Sequence, residues 1–396
     1  MQRRHFLRHA GATLALASTG ALTACVPAGT RSGNRAAPVA RLGSGIPELM
    51  PVKARPDRIT GVYVCTRPFR AAGPRIETER LGDKTVVHNY GHGGSGWSLS
   101  WGSSTLALRM AQATGVHELG VIGCGALGLT TALLAQRAGL SVRIYARDLP
   151  PNVYSMRASG LWTPDSRICD AAHASVFGDR WEDMARISFT QYQSMLGLPG
   201  DPIEWIEGYF LSDDPPGQAS QEPSDEPEYA EFVERARFTP RSVELAPGTH
   251  PFAQAHVRRY TTLMFNITSY AHMLLNDFLV AGGKIEVREF HQPNDLLQLP
   301  ERTLVNATGY GARALFGDNS LIPVRGQTAR LIPQPEVRYG ISSSKVSMVP
   351  RRDGLLVQAF GDSGNFNNPD TTPVRAVSEA AVLALARIVE GMRQPA

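Results

Sequence analysis

The sequence predicts an α/β fold built around a Rossmann-like unit, and the order of its segments is the first observation. A short apolar strand, Leu119 to Ile122, leads into the glycine turn GCGALG and then into an apolar helical segment, Ala126 to Ala138. Gly139 ends that segment, and a second apolar strand, Val142 to Tyr145, follows it. Strand, glycine turn, helix and strand in this order form the βαβ unit that binds dinucleotides.

The glycines of this unit occupy the three positions of the dinucleotide fingerprint. They are Gly123, Gly125 and Gly128, where the absence of a side chain allows a tight turn and a close backbone approach to a pyrophosphate. The second strand of such a unit ends near an acid that binds ribose hydroxyls. We therefore expect Asp148, with Arg147 beside it, to contact the cofactor.

The second observation is another glycine-dense turn, HNYGHGGSGWSLSWG, at residues 88–102 and so upstream of the fingerprint. A glycine turn that runs into a helix presents backbone N–H groups to a charged or planar ligand. Two such turns in one chain predict one large cofactor held from two sides. Gly93, Gly94, Gly96 and Ser98 are the candidate contacts in the second turn.

No metal site is predicted. His88 and His92 have the i, i+4 spacing of helical zinc ligands, but the glycines around them make a helix there implausible. The four cysteines of the chain have no CxxC or other metal spacing.

The glycine turn at 88–102 resembles the signature near the C-terminal end of the D-amino-acid oxidase family, flavoproteins that oxidise the Cα–N bond of D-amino acids. In that family the turn follows the fingerprint by almost the whole chain, whereas here it precedes it. The resemblance implies FAD as cofactor. It implies a Rossmann-like FAD-binding domain interleaved with an antiparallel-sheet α+β substrate domain, D-amino-acid oxidase-like and circularly permuted.

The resemblance also assigns roles to residues. Arg67, in the segment TRPFR, matches the arginine that holds the substrate carboxylate; without its neighbours it would be read as a surface arginine. Gly94 matches the residue whose carbonyl accepts the substrate amine, and Ser98 is a flavin contact. Ser155 lies in the loop around the pyrophosphate. Val287 lies in the strand beside the adenine.

The pocket wall departs from the family. Relatives carry a tyrosine whose hydroxyl helps to hold the carboxylate at the position of Ser347, and some carry a second one at Ser343. A smaller, more polar wall implies a larger substrate, a rearranged pocket or a different amine. Tyr339 or Tyr270 are candidate substitutes.

The N-terminus has the marks of an export signal. Arg3 and Arg4 precede Phe6-Leu7 and a weakly apolar stretch, which resembles a twin-arginine signal, and Leu22-Thr23-Ala24-Cys25 resembles a lipobox in which Cys25 would be lipidated. An amphipathic helix that happens to begin with arginines is the alternative. We expect an exported protein, anchored by lipid on the periplasmic side.

The predicted domain boundaries follow from these segments. Residues 1–24 form the signal and residues 25–54 a flexible tether. The FAD-binding domain takes residues 72–166 plus 262–325. The substrate domain takes residues 55–71 plus 167–261 plus 326–392.

Composition narrows the function further. The formal charge is +4, and removal of residues 1–24 would leave 37 basic against 36 acidic residues, a balance that gives nucleic-acid binding no support.

We predict FAD-dependent oxidative deamination of a D-amino acid, with dioxygen or a membrane quinone as electron acceptor. The alternatives are an oxidase of glycine or a secondary amine, a quinone-linked amino-acid dehydrogenase, and a flavin-binding lipoprotein without turnover.

Overall fold

A computed structural model describes residues 47–215, 225–232, 237–360 and 364–393, which belong to one compact unit. The predicted signal, with Arg3, Arg4 and Cys25, lies outside the described residues. Val52 and Ala54 are buried against a core cluster, so the packed part of the chain begins before Arg55, within the segment expected to be a tether.

The helices and strands of the described residues are numbered in chain order. The helices are α1 (Gly96–Gln112), α2 (Ala126–Arg137), α3 (Ala174–Gln193), α4 (Ile267–Val280), α5 (Ala312–Phe316) and α6 (Arg375–Glu390). The strands are β1 (Ile59–Phe69), β2 (Arg75–Leu81), β3 (Lys84–Tyr90), β4 (Glu118–Ile122), β5 (Ser141–Ala146), β6 (Ile203–Ser212), β7 (Val243–Leu245), β8 (His256–Phe265), β9 (Lys284–Val287), β10 (Thr303–Asn306), β11 (Ile322–Leu331), β12 (Tyr339–Ser343), β13 (Val346–Arg351) and β14 (Gly354–Ala359).

The first sheet has six strands in the order β2-β3-β10-β4-β5-β9. All of its pairs are parallel except β2 with β3, which is an antiparallel pair at one edge. The predicted βαβ unit is β4-α2-β5 at the centre of this sheet. Ligands of open parallel sheets bind at the carboxyl ends of the strands, where both glycine turns begin.

The second sheet has eight strands in the order β1-β11-β14-β13-β12-β6-β8-β7. It was expected to be antiparallel, but it is mixed, because β12 and β6 run parallel. The chain between β6 and β12 is long and includes α4 and the strands β9 and β10 of the first sheet. Parallel strands need such a long crossover connection. Helix α6 covers one face of the sheet, and the other face is turned to a large cavity.

Helix α1 begins at Gly96, inside the second glycine turn. Gly102 shows why a glycine- and serine-rich stretch forms a helix here, since a Cβ on it would lie 2.2 Å from the carbonyl oxygen of Met184 in α3. Close packing of two helices outweighs weak intrinsic propensity. In the described ranges, no helix combines the length and apolarity needed to cross a bilayer.

Candidate functional site

The fingerprint turn between β4 and α2 is packed too closely for side chains. Gly123 has φ of +109°, and a Cβ on it would lie 2.6 Å from the carbonyl oxygen of Ala307, at the end of β10. A Cβ on Gly128 would lie 2.0 Å from the carbonyl oxygen of Gly123. The turn therefore brings backbone and the N-terminus of α2 to the edge of the cavity, the arrangement that receives a pyrophosphate.

Ser155 lies at the same end of α2. Its Oγ accepts the N–H of Ala126 at 3.2 Å, and a Cβ on Gly125 would meet that Oγ at 3.3 Å. Ser155, Gly125 and Ala126 all line the cavity, whereas Gly128 packs beneath the turn and is not in the lining.

Asp148 and Arg147 follow the end of β5 and both line the cavity. Arg147 donates from Nε to Asp148 Oδ2 at 2.8 Å and from Nη1 to Glu289 Oε1 at 3.2 Å. The acid thus stands where ribose hydroxyls are bound in such units. Val287, at the end of β9, is 68% exposed and does not line the cavity.

The second glycine turn connects β3 to α1 and forms the opposite wall. Gly93 has φ of +52°, and a Cβ there would lie 1.8 Å from the carbonyl oxygen of Arg167. Gly94 donates its N–H to Ser166 O at 2.9 Å, and Gly93, Gly94 and Gly96 all line the cavity. Ser98 is buried below them, where its Oγ accepts the N–H of Thr163 at 2.9 Å, and it is not in the lining.

A buried histidine in this turn has one nitrogen without a partner. Ser103 Oγ donates to Asn89 Oδ1 at 2.5 Å, so it accepts from His92 Nε2 at 2.7 Å. His92 Nδ1 is then a bare acceptor, and it has no hydrogen-bond partner among the described residues although the ring lines the cavity. Burial lowers the pKa of His92 to about 3, which keeps the ring neutral.

Arg67 lies in β1 with its guanidinium flat against β11. A Cβ on Gly326 would lie 2.5 Å from both Nη atoms, so the glycine leaves room for the guanidinium in this position. Nη1 donates to Arg325 O at 3.0 Å, and no carboxylate of the described residues lies within 4.0 Å of the guanidinium. Arg67 therefore presents an unpaired charge to the cavity, as an arginine that binds a ligand carboxylate must.

Neither tyrosine suggested as a substitute for the family hydroxyl reaches the cavity. Tyr339 lies on the face covered by α6 and donates its hydroxyl to Met50 O at 2.8 Å. Tyr270 is wholly buried, and its hydroxyl accepts from Trp101 Nε1 at 2.7 Å. Tyr260 of β8 does line the cavity, with its ring packed on Gly208. Burial raises the pKa of the Tyr260 hydroxyl to about 12.

Ser347 lines the cavity, as expected from the sequence, and two further polar residues beside it were not anticipated. They are Thr328 in β11 and Gln358 in β14. The signal was present in the segment LLVQA, where alternation along a strand puts Gln358 on the face opposite Val357. Without the neighbouring strands, the sequence did not show that this face lines a cavity.

The cavity has a volume of about 1520 Å³ and connects both glycine turns with Arg67. A pocket for one small ligand holds roughly 300–1,000 Å³, so there is room for a large cofactor and a substrate together. The side-chain-free cradle at Gly123, the N-terminus of α2 and the unpartnered His92 Nδ1 fit a flavin dinucleotide.

Comparison with known proteins agrees with this geometry. A D-amino-acid oxidase of Dictyostelium discoideum is 26% identical over 282 residues, which cover 68% of this chain and 72% of the relative. A D-amino-acid oxidase of Streptomyces coelicolor is 29% identical over 288 residues, which cover 70% of this chain and 80% of the relative.

Among solved structures, glycine oxidase from Geobacillus kaustophilus is similar with a TM-score of 0.48 and 15% identity, covering 71% of this chain and 81% of that one. This likeness is too partial to add to the assignment. The family model described as FAD dependent oxidoreductase matches residues 118–393, well over half of the chain. With FAD as its cofactor, the chain belongs to this family of FAD-dependent oxidoreductases and is a D-amino-acid oxidase-like enzyme.

Proposed function

We propose that the protein oxidises the Cα–N bond of a D-amino acid to an imine, which hydrolyses to the 2-oxo acid and ammonia while dioxygen is reduced to hydrogen peroxide. The observation that carries the proposal is Arg67, an unpaired guanidinium in the wall of the cavity that both glycine turns line. A planar guanidinium binds a planar carboxylate through two parallel hydrogen bonds.

The residues of the chain act by positioning. FAD, when bound, supplies the acceptor for the two electrons and the hydrogen that leave Cα. Arg67 fixes the carboxylate, and the carbonyl of Gly94 is the proposed acceptor for an N–H of the amine. The neutral His92 ring and the glycine turn close the cavity on one side. No general base is required when the amine arrives neutral, since its lone pair remains available as the C–H bond breaks.

Two neighbouring functions differ in substrate or acceptor. A glycine or secondary-amine oxidase is favoured by Ser347, because it leaves space where relatives have a tyrosine. A quinone-linked dehydrogenase is favoured by a membrane anchor, which is itself proposed from the N-terminal motifs. A flavin-binding lipoprotein without turnover is disfavoured by Arg67, a charge that lines the cavity and has no ion-pair partner among the described residues.

A panel of amines distinguishes these functions. The purified protein is incubated with D- and L-amino acids, glycine, sarcosine and L-proline, and hydrogen peroxide and ammonia are measured. Release of both with primary D-amino acids supports the proposal. Activity confined to glycine and secondary amines supports the alternative oxidase, and turnover only with an added quinone supports the dehydrogenase. No turnover with any of them under either condition contradicts an enzymatic role.

We also propose that the chain is a circular permutation of its family, exported and lipid-anchored through the N-terminal segment. Residues 55–112 precede the family-matched residues 118–393, yet they are part of the same fold. They contribute β1 to the eight-stranded sheet, β2 and β3 to the six-stranded sheet, and helix α1. Only five residues separate the end of α1 at Gln112 from the start of β4 at Glu118. Helix α6 contacts the turn Pro56–Arg58 just before β1, so the proposed ancestral connection joined neighbouring parts of the fold.

A further inference from the structure

Three polar side chains form a row across neighbouring strands on the cavity side of the eight-stranded sheet. Thr328 of β11 pairs with Gln358 of β14, and Gln358 pairs with Ser347 of β13. They are 3%, 8% and 8% exposed, and all three line the cavity. We call Thr328, Ser347 and Gln358 the polar wall.

The polar wall has no partner in the part of the chain that the structure describes. None of the three side chains makes a hydrogen bond with another described residue. Their polar atoms are also absent from the fully buried atoms without a partner, so these atoms remain accessible although the residues as a whole are buried. The open side of the wall is the cavity, so its donors and acceptors are available to what the cavity contains.

The adjacent row is apolar in β13 and β14. Val349 lies two positions after Ser347 in β13, and Leu356 lies two positions before Gln358 in β14. Both belong to an apolar cluster with Ile206 and Met264. The opposite face of the strands packs on α6. A ligand that fits both rows has an apolar stem and a hydrogen-bonding end.

Arg67 fixes the distance from the wall to the bound carboxylate. Its guanidinium lies on Gly326, two residues before Thr328 on the same face of β11. Residues i and i+2 of a strand are roughly 7 Å apart. A carboxylate held at Arg67 thus leaves a gap to the wall that a short amino-acid side chain spans.

The charge of the cavity restricts that side chain further. Seven arginines line the cavity, against the two acids Asp148 and Glu231. Arg147 and Arg167 are ion-paired with carboxylates, and the other five arginines have no ion pair among the described residues, so the cavity carries an excess of positive charge. A cationic side chain would be repelled, whereas a neutral polar or an anionic one would not.

We propose that the polar wall selects substrates whose side chain ends in a neutral or anionic hydrogen-bonding group, namely a carboxamide, hydroxyl or carboxylate, over apolar and cationic side chains. The proposal rests on the proposed function, because it takes Arg67 as the carboxylate site. Gln358, at the centre of the row with both a donor and an acceptor, is its main specificity residue.

The isosteric pair D-asparagine and D-leucine tests the wall, since the two differ in hydrogen bonding and hardly in shape. We expect kcat/KM to favour D-asparagine by about tenfold or more in the unaltered protein. Gln358→Met, which keeps length and removes both hydrogen-bonding groups, should lower that ratio by about tenfold. Ser347→Ala and Thr328→Val should lower it less. Gln112→Met, the same change on an exposed residue outside the cavity, should leave the ratio unchanged.

A binding measurement separates this proposal from the proposed function. Succinamate and its isostere 4-methylpentanoate lack the amine and cannot be oxidised, and their dissociation constants are read from the absorbance change of the bound flavin. Tighter binding of succinamate, lost in Gln358→Met, supports the wall even if no amine is oxidised. An asparagine-to-leucine ratio near or below one, an unchanged ratio in all three wall variants, or equal or absent binding of the two acids overturns it. Flavin content confirms that each variant has folded.

Discussion

Arg67 and Gly326 act as a pair, because the absence of a side chain at Gly326 leaves room for the guanidinium to lie flat on the sheet. The guanidinium donates one hydrogen bond to Arg325 O, and its other N–H groups remain available to a ligand. This geometry supports the substrate-binding role that we propose for Arg67.

Arg67→Ala should retain the flavin and raise KM for amino acids by roughly 30-fold to 150-fold, since loss of a charge-assisted pair costs about 2–3 kcal/mol. Steady-state kinetics and the flavin spectrum measure the two effects separately. Arg80→Ala, on an exposed face of β2, is the control. An unchanged KM in the Arg67 variant would remove this residue from the substrate site.

His92 should make stability depend on pH. Its pKa falls from 6.5 to about 3 on burial, so between these values the unfolded chain binds a proton that the folded protein does not. The free energy of unfolding therefore decreases as the pH falls from 6.5 towards 3, by about 1.4 kcal/mol per pH unit from this group. Urea unfolding at several pH values should show a shallower decrease for His92→Gln than for the control His117→Gln on an exposed histidine. Equal slopes would contradict the assignment.

At the level of elements, the two glycine turns are held by contacts from distant parts of the chain. Gly123 lies against Ala307 at the end of β10, and Gly93 lies against Arg167. A side chain in either turn would displace backbone, which the packed core resists.

Gly128→Ala should lower the flavin content of the purified protein and destabilise it by about 1–3 kcal/mol, because the new methyl group would overlap the carbonyl of Gly123. Gly391→Ala is the matched control, since a Cβ there makes an ordinary contact of 3.4 Å with Ala253. Flavin absorbance and thermal unfolding report both quantities. A Gly128 variant with full flavin content and unchanged melting would show that the turn tolerates a side chain.

Local elements could be predicted where sequence alone determines them, and tertiary features could not. The unit β4-α2-β5 matches the prediction within one or two residues, because strand, glycine turn and helix are adjacent in sequence. The start of α1 at Gly96 depends on its packing against α3, and the parallel pairing of β12 with β6 depends on a distant connection. The polar wall combines residues from three strands, so no single segment reveals it.

For the whole molecule, the proposed permutation implies that the chain can be opened elsewhere. A variant that begins at Glu118, continues to Arg393 and then passes through a short linker into residues 47–117 restores the family order. We expect it to fold and to bind FAD with the same visible spectrum, since the new ends lie in a surface connection and the old ends share a cluster. A control opened between Val64 and Cys65, inside the central part of β1, should not fold. Failure of the first variant to bind FAD would contradict the permutation.

The central claim is that this family member transfers hydrogen from Cα of an amino acid to its flavin, and anaerobic titration tests it most directly. The purified protein should be yellow, and addition of a D-amino acid without oxygen should bleach the absorbance of the oxidised flavin, which should return when air is admitted. A flavin that stays oxidised with D-amino acids, glycine and secondary amines alike would contradict the account.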